Sequence, residues 1–133
     1  MLTTLCPCGS GSPYQDCCEA FHRGIRFPLT AEALMRSRYS AYVFQLDDYL
    51  LKTRHPRNVQ PHEAENIHQW ARAVVFCGLE IVRVFQGQSA DKTGKVEFKA
   101  HYRYQGQEEL IHELSRFRRF EGRWYYWDGD RLN

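Results

Sequence analysis

Apolar residues follow two regimes along this chain, and the change comes near residue 75. Before it they recur every three to four positions; after it they alternate. In 31–45, Leu34, Met35, Tyr39, Tyr42 and Val43 fall at helical spacing, with Thr30 as N-cap and Glu32 in the first turn. Leu46-Asp47-Asp48 opens a second, short helix through Tyr49, Leu50 and Leu51. It must end before Pro56, because the residue preceding proline is driven out of the helical region. Pro61 suits a first helical position, and Ile67, Trp70, Ala71 and Val74 then stripe one face of a third helix.

The rest reads as strands. Val75–Gln86 is rich in β-branched residues, and Gly87–Gly94 has turn composition. Between 95 and 104, Val96, Phe98, Ala100, Tyr102 and Tyr104 alternate with Lys95, Glu97, Lys99, His101 and Arg103, the mark of a half-buried strand. Gln105-Gly106-Gln107 is a turn, Leu110–Phe120 a third strand, Glu121-Gly122 a tight turn and Arg123–Trp127 a fourth strand. Helices first and an antiparallel meander second make the fold class α+β.

Residues 1–22 fit neither regime. They hold few large apolar side chains and cannot build a core unaided. They do hold four of the five cysteines, as Cys6-Pro-Cys8 and Cys17-Cys18, in a C-x-C-x8-C-C pattern. Four thiols so close read as one tetrahedral metal site, with Zn2+ the expected ion. Four ligands fill zinc's shell, so the expected metal is single and structural, not catalytic. Gly9 and Gly11 allow the sharp reversals that paired ligands need, and their amides, with Ser10 and Ser12, are candidate donors to sulfur. Arg23 or Arg26 would offset the charge of an all-thiolate site. The alternatives are a disulfide pair or unrelated buried cysteines, and His22 competes with Cys18 as fourth ligand. Cys77, among Val75, Phe76 and Leu79, reads as an inert buried thiol.

Composition narrows the rest. A chain of 133 residues, 43% hydrophobic and 14% aromatic, supports one globular domain with a small appendage. A net charge of +2 gives weak support to nucleic acid as a partner. No apolar run approaches the roughly 20 residues of a membrane span, and Met1–Leu5 has no signal-peptide character. A cytoplasmic, reducing location is therefore expected, where clustered cysteines favour metal over disulfide.

The run C-P-C-G-S-G-x-x-Y-x-x-C-C resembles the SEC-C zinc motif, first known from the tail of the translocase motor SecA. Leu34-Met-Arg-Ser-Arg-Tyr-Ser-Ala-Tyr42, Thr53-Arg-His-Pro56 and Gly122-Arg-Trp-Tyr-Tyr-Trp-Asp-Gly129 resemble the YchJ-like family of uncharacterised bacterial proteins. The resemblance implies a cone-shaped domain similar to nuclear transport factor 2, with two or three helices over a curved four-stranded sheet. It divides the chain into a SEC-C-like module at 1–22, a linker at 23–29 and the cone at 30–133. Some family members carry a second SEC-C motif, which this sequence lacks, and often a tryptophan where it has Arg54.

Three functions follow as expectations. SEC-C tails dock partners, which implies a protein-interaction adaptor. Cone domains often hold a cavity beneath the first long helix, where ligands or chemistry reside. Its expected lining is Arg36, Arg38, Tyr39, Tyr42, Tyr102, Glu113 and Ser115, with Glu113 either raised in pKa or paired to Arg36 or Arg38. No catalytic residue is assigned. Thirdly, Arg116, Arg118, Arg119 and Arg123, near Trp124 and Tyr125, form a basic hairpin able to meet RNA or an acidic protein surface. His101 is expected on a solvated face and His112 as a satisfied structural histidine. Cone domains often pair as homodimers through the open sheet face, where Trp124, Tyr126 or Trp127 would serve.

Overall fold

The structure is a computed structural model that describes residues 4–133. Most of the segment examined for signal-peptide character, Met1 to Thr3, lies outside the described residues. A single 3-10 turn, Tyr14–Asp16, leads into α1 (Cys18–His22). Then come α2 (Ala31–Val43), α3 (Asp47–Lys52), α4 (Glu63–Ala73), β1 (Val74–Gln86), β2 (Thr93–Tyr104), β3 (Gln107–Phe120) and β4 (Arg123–Arg131). The strands form one antiparallel sheet in the order β1-β2-β3-β4.

The local reasons are visible in the sequence. Thr30 caps α2, its Oγ1 accepting from the Ala33 amide at 3.1 Å. Gln105-Gly106 and Glu121-Gly122 are two-residue hairpin turns with both residues at positive φ, as the twist of paired strands prefers. Three boundaries stand out against expectation. α4 begins at Glu63, not Pro61, because His62 turns left-handed at φ 60° just ahead of it. Val74 is not on that helix: it is the first residue of β1, extended and buried, since helix and strand join without a loop. β4 also runs on to Arg131, past the expected end at Trp127.

β1 departs from strict alternation. Its register shifts between Phe76 and Gly78, leaving Cys77 as the extra residue of a bulge. That bulge corrects the expectation of a buried thiol: Cys77 is exposed. A bulge beside Trp127 in β4 flips the phase of the residues that follow it. Ahead of it Trp124 and Tyr126 point inward, and of the residues proposed for a dimer face these two are core and cavity wall instead.

The sheet does not stop at β4. The Tyr126 amide donates to the Thr53 carbonyl at 2.9 Å, and the His55 amide to the Tyr126 carbonyl at 2.8 Å. Arg54 thus bridges to Tyr126 in parallel, and its guanidinium meets Glu63 at 3.1 Å in a buried pair. The main core lies between α2 and the sheet, built from Leu34, Met35, Tyr39, Val96, Phe98 and Phe117. Cys6, Cys8 and Cys18 belong to the same cluster.

Candidate functional site

The cysteine knuckle is folded by its own backbone. The Cys6 amide donates to the Ser12 carbonyl at 2.8 Å and the Gly9 amide to the Cys6 carbonyl at 3.3 Å. Gly9 sits at φ 82°, and a Cβ there would meet the Leu79 carbonyl oxygen and the Arg36 guanidinium. The loop closes where Leu5 bridges Pro13.

This reversal brings Cys6, Cys8, Cys17 and Cys18 together, all four Sγ atoms within 4.8 Å of one another. Cys8 and Cys17 are 3.6 Å apart, and Cys17 and Cys18 3.9 Å. Thiolates about 2.3 Å from a tetrahedral zinc define edges of about 3.8 Å, and a disulfide needs about 2.05 Å. The four cysteines are arranged to hold a metal ion, and none is in a disulfide. Cys8 and Cys18 act on each other at this range, which draws Cys8 down to about 4 and pushes Cys18 up. Sulfurs this close cannot all ionise without a cation among them.

The surrounding donors differ in part from those expected. Ser10 Oγ reaches Cys17 at 3.2 Å, but the Ser12 amide turns to Ser10 Oγ and Gly9's amide goes to backbone. Ser40 of α2, unforeseen, donates to Cys18 at 3.3 Å and lies 3.5 Å from Cys6. His22 is no ligand. Its Nε2–H donates to the Ser37 carbonyl at 2.8 Å, which leaves Nδ1 to accept from the Tyr14 hydroxyl at 2.7 Å. Arg23 and Arg26 stay at the surface. The arginine that serves the knuckle is Arg36, donating to the Cys8 carbonyl at 2.7 Å while held by Glu32 at 2.9 Å.

Arg36 is therefore not a cavity residue, because helical phase sends 36 and 40 one way and 35, 38, 39 and 42 another. On that second side a cavity of about 300 Å3 separates α2 from the sheet. Arg38, Tyr39, Tyr42, Glu113 and Ser115 line it as expected positions, joined by Tyr126 and Arg131. Tyr102 packs instead against Trp70 and Phe76, at ring distances of 5.3 and 5.9 Å. Glu113 accepts from Ser115 Oγ at 2.7 Å and lies over Gly129, where any Cβ would collide with its carboxylate. Among the described residues no guanidinium comes within 4.0 Å of it, so the expected Glu–Arg pair is absent. Arg38 spends Nη1 on the Leu50 carbonyl and Thr53 Oγ1, and its plane lies 4.8 Å from the Tyr126 ring. Burial raises all three cavity phenols, Tyr42 and, up to about 12, Tyr39 and Tyr126, so each remains an O–H donor at neutral pH. Arg131 was missed because β4 was expected to end at Trp127, and the strand runs on past it.

The basic hairpin divides. Arg116 is clamped by Asp128 and Asp130. Arg119 caps the Ser89, Asp91 and Gly122 carbonyls. Arg118 and Arg123 remain exposed, over Trp127 and Phe27 at 3.8 and 3.6 Å. His101 is exposed, and His112 is satisfied by Glu97 at 2.7 Å.

Residues 30–129 match the model of the YchJ middle, NTF2-like domain, and residues 3–20 match the SEC-C motif. The chain belongs to the YchJ-like family. A UPF0225 protein of Geobacter sulfurreducens is 42% identical over 96% of this chain and 80% of its own. One from Chromobacterium violaceum is 46% identical over 93% and 90%. The solution structure of a SEC-C motif containing protein from Rhodopseudomonas palustris matches this YchJ-like chain at TM-score 0.84 and 34% identity, covering 96% and 98%. A SEC-C motif containing protein from Psychrobacter arcticus matches at 0.77 and 31%, covering 92% and 80%. An LEH-like epoxide hydrolase from M. tuberculosis, at 0.53 and 14%, shares the fold of the YchJ-like domain alone. No helix among the described residues is long and apolar enough to cross a membrane.

Proposed function

We propose that this YchJ-like chain holds one structural Zn2+ in its knuckle and binds a small molecule in the cavity on the other side of α2. The zinc assignment rests on the four-sulfur geometry, which leaves no vacant coordination position. The cavity assignment rests on one observation: Glu113 lines an apolar-walled chamber with no cationic partner within 4.0 Å. A carboxylate, two guanidiniums and three phenols that face one space while the carboxylate has no cationic partner suit a ligand that supplies one. At about 300 Å3 that ligand is small. The partner-docking reading keeps one observation in its favour, since Leu5 of the knuckle and Ile25 and Leu29 of the 23–29 segment are well exposed. A cytoplasmic location accords with zinc-bound rather than oxidised thiols.

The test is NMR shift mapping on the metal-loaded chain, using a set of small aromatic and aliphatic acids, amines and alcohols. At least one should shift the amides of Tyr42, Glu113 and Ser115, and Ala100→Phe, which fills the chamber, should abolish that response. If no fragment perturbs those amides, or if Ala100→Phe responds equally, the cavity reading fails. Enrichment of a specific partner by the intact chain, lost in a triple Leu5/Ile25/Leu29→Ser variant, would then favour docking.

A further inference from the structure

Most arginines of this protein are spoken for by acids or carbonyls: Arg36 by Glu32, Arg54 by Glu63, Arg72 by Asp47, Arg116 by Asp128 and Asp130. The exceptions gather. A second concave site, of about 320 Å3, opens where the 23–29 segment crosses α3 and the start of β4. Arg26, Lys52 and Arg123 all line it, and its lining contains no aspartate or glutamate. Among the described residues none of the three cations lies within 4.0 Å of a carboxylate. Like charges sharing one concavity repel, and an anion placed among them relieves that cost.

The rest of the wall is aromatic. Phe21, Phe27, Tyr49, Trp124 and Tyr125 supply it. Trp124 is fixed by its indole N–H, which donates to the Leu29 carbonyl at 3.1 Å. Arg123 already stacks on Phe27 at 3.6 Å, a cation resting on a ring face. The aromatic and cationic character continues out of the pocket along the hairpin. Arg118 is the register partner of Tyr125 and stacks on Trp127, and Arg57 lies 5.2 Å from the Phe120 ring. From Arg123 to Trp127 the strand advances about 13 Å.

We infer that this pocket binds a nucleotide, its phosphate among Arg26, Lys52 and Arg123 and its base against the aromatic wall. Phosphate neutralisation by Arg and Lys together with base–aromatic stacking is the shared chemistry of a free mononucleotide and of a single-stranded RNA. The site is separate from the α2 cavity, so the inference stands whether or not that cavity takes a ligand.

The experiment uses the metal-loaded full chain at 50 mM salt. Adenosine 5′-monophosphate, ribose 5-phosphate, a fluorescent eight-nucleotide single-stranded RNA and a polyglutamate peptide are titrated in parallel. The nucleotide should bind at least tenfold tighter than ribose 5-phosphate, because only it carries a base. Lys52→Glu and Arg123→Glu should each weaken binding at least tenfold. Arg83→Glu, exposed elsewhere on β1, should leave it unchanged. RNA binding tighter than the mononucleotide, with a salt slope that falls by about 1 per removed cation, assigns the site to RNA. Equal affinities assign it to free nucleotide. Either outcome upholds the proposal. Polyglutamate binding as tightly as RNA, an Arg83→Glu loss equal to that of Arg123→Glu, or no binding by nucleotide and RNA at millimolar concentration would overturn it. Lys52 and Arg123 are exposed, so both variants are expected to keep the wild-type melting temperature, which is checked alongside.

Discussion

Helix α2 separates two regions that are treated in opposite ways. Towards the knuckle, Arg36 and Ser40 meet a backbone carbonyl and two sulfurs, and His22 places both ring nitrogens on partners. Towards the cavity, Glu113 has only a serine, and Arg38 spends a single nitrogen. The first region is closed, and its chemistry is used up in holding the chain together. The second keeps donors and an acceptor available, which is what binding requires. One helix serves both, so the cysteine knuckle fixes the wall of the cavity without lining it.

Stripping the metal is the harshest way to break this contrast. Chelation, or Cys8→Ser, should cost several kcal/mol, since folding of a knuckle of this kind is coupled to metal binding. Calorimetry should show the melting temperature falling by about 15 °C or more. A chelated chain that melts within a few degrees of the loaded one would show that the knuckle is ornament, not support. Paired substitutions sharpen the comparison next. Arg36→Met should lose about 2 kcal/mol and weaken zinc retention about tenfold, having removed a charged hydrogen bond on the closed side. Glu113→Gln should change stability by less than about 1 kcal/mol, having removed a charge that holds nothing but Ser115. Equal losses in urea unfolding would erase the distinction.

The smallest effect concerns the strip paired along β4. His55, packed edge-on against Phe120, Tyr125 and Trp127, is held below the ordinary histidine range by burial and then by Arg118 and Arg57. The unfolded chain therefore takes up the proton first, and stability present above about pH 6.5 is lost as pH falls below it. Urea midpoints between pH 7.5 and 6 should decline in the wild type and decline less in His55→Gln. A steeper decline in the variant would refute the sign.

The elements and their order were legible because each depends on local periodicity, caps and turn residues. The cysteine cluster was legible because four thiols in thirteen residues leave few geometries. What escaped depends on events that alternation cannot register. A bulge turned Cys77 outward, and β4 continued past Trp127 through a bulge of its own. A difference of two positions on α2 sent Arg36 to the knuckle and Arg38 to the cavity. Four neighbouring arginines looked alike until Asp128, Asp130 and loop carbonyls were seen to occupy two of them. Ser40 gave a faint signal: a small hydroxyl at i+4 from Arg36, on the same face of the helix.

The short pairing of Thr53–His55 along β4 also bears on how the protein behaves in a crowded solution. A bare outer strand offers unpaired amides and carbonyls to any neighbouring chain and invites edge-to-edge aggregation. Here the strip is anchored by the Arg54–Glu63 pair, so one ion pair guards the β4 edge at Tyr126 as well as its local order.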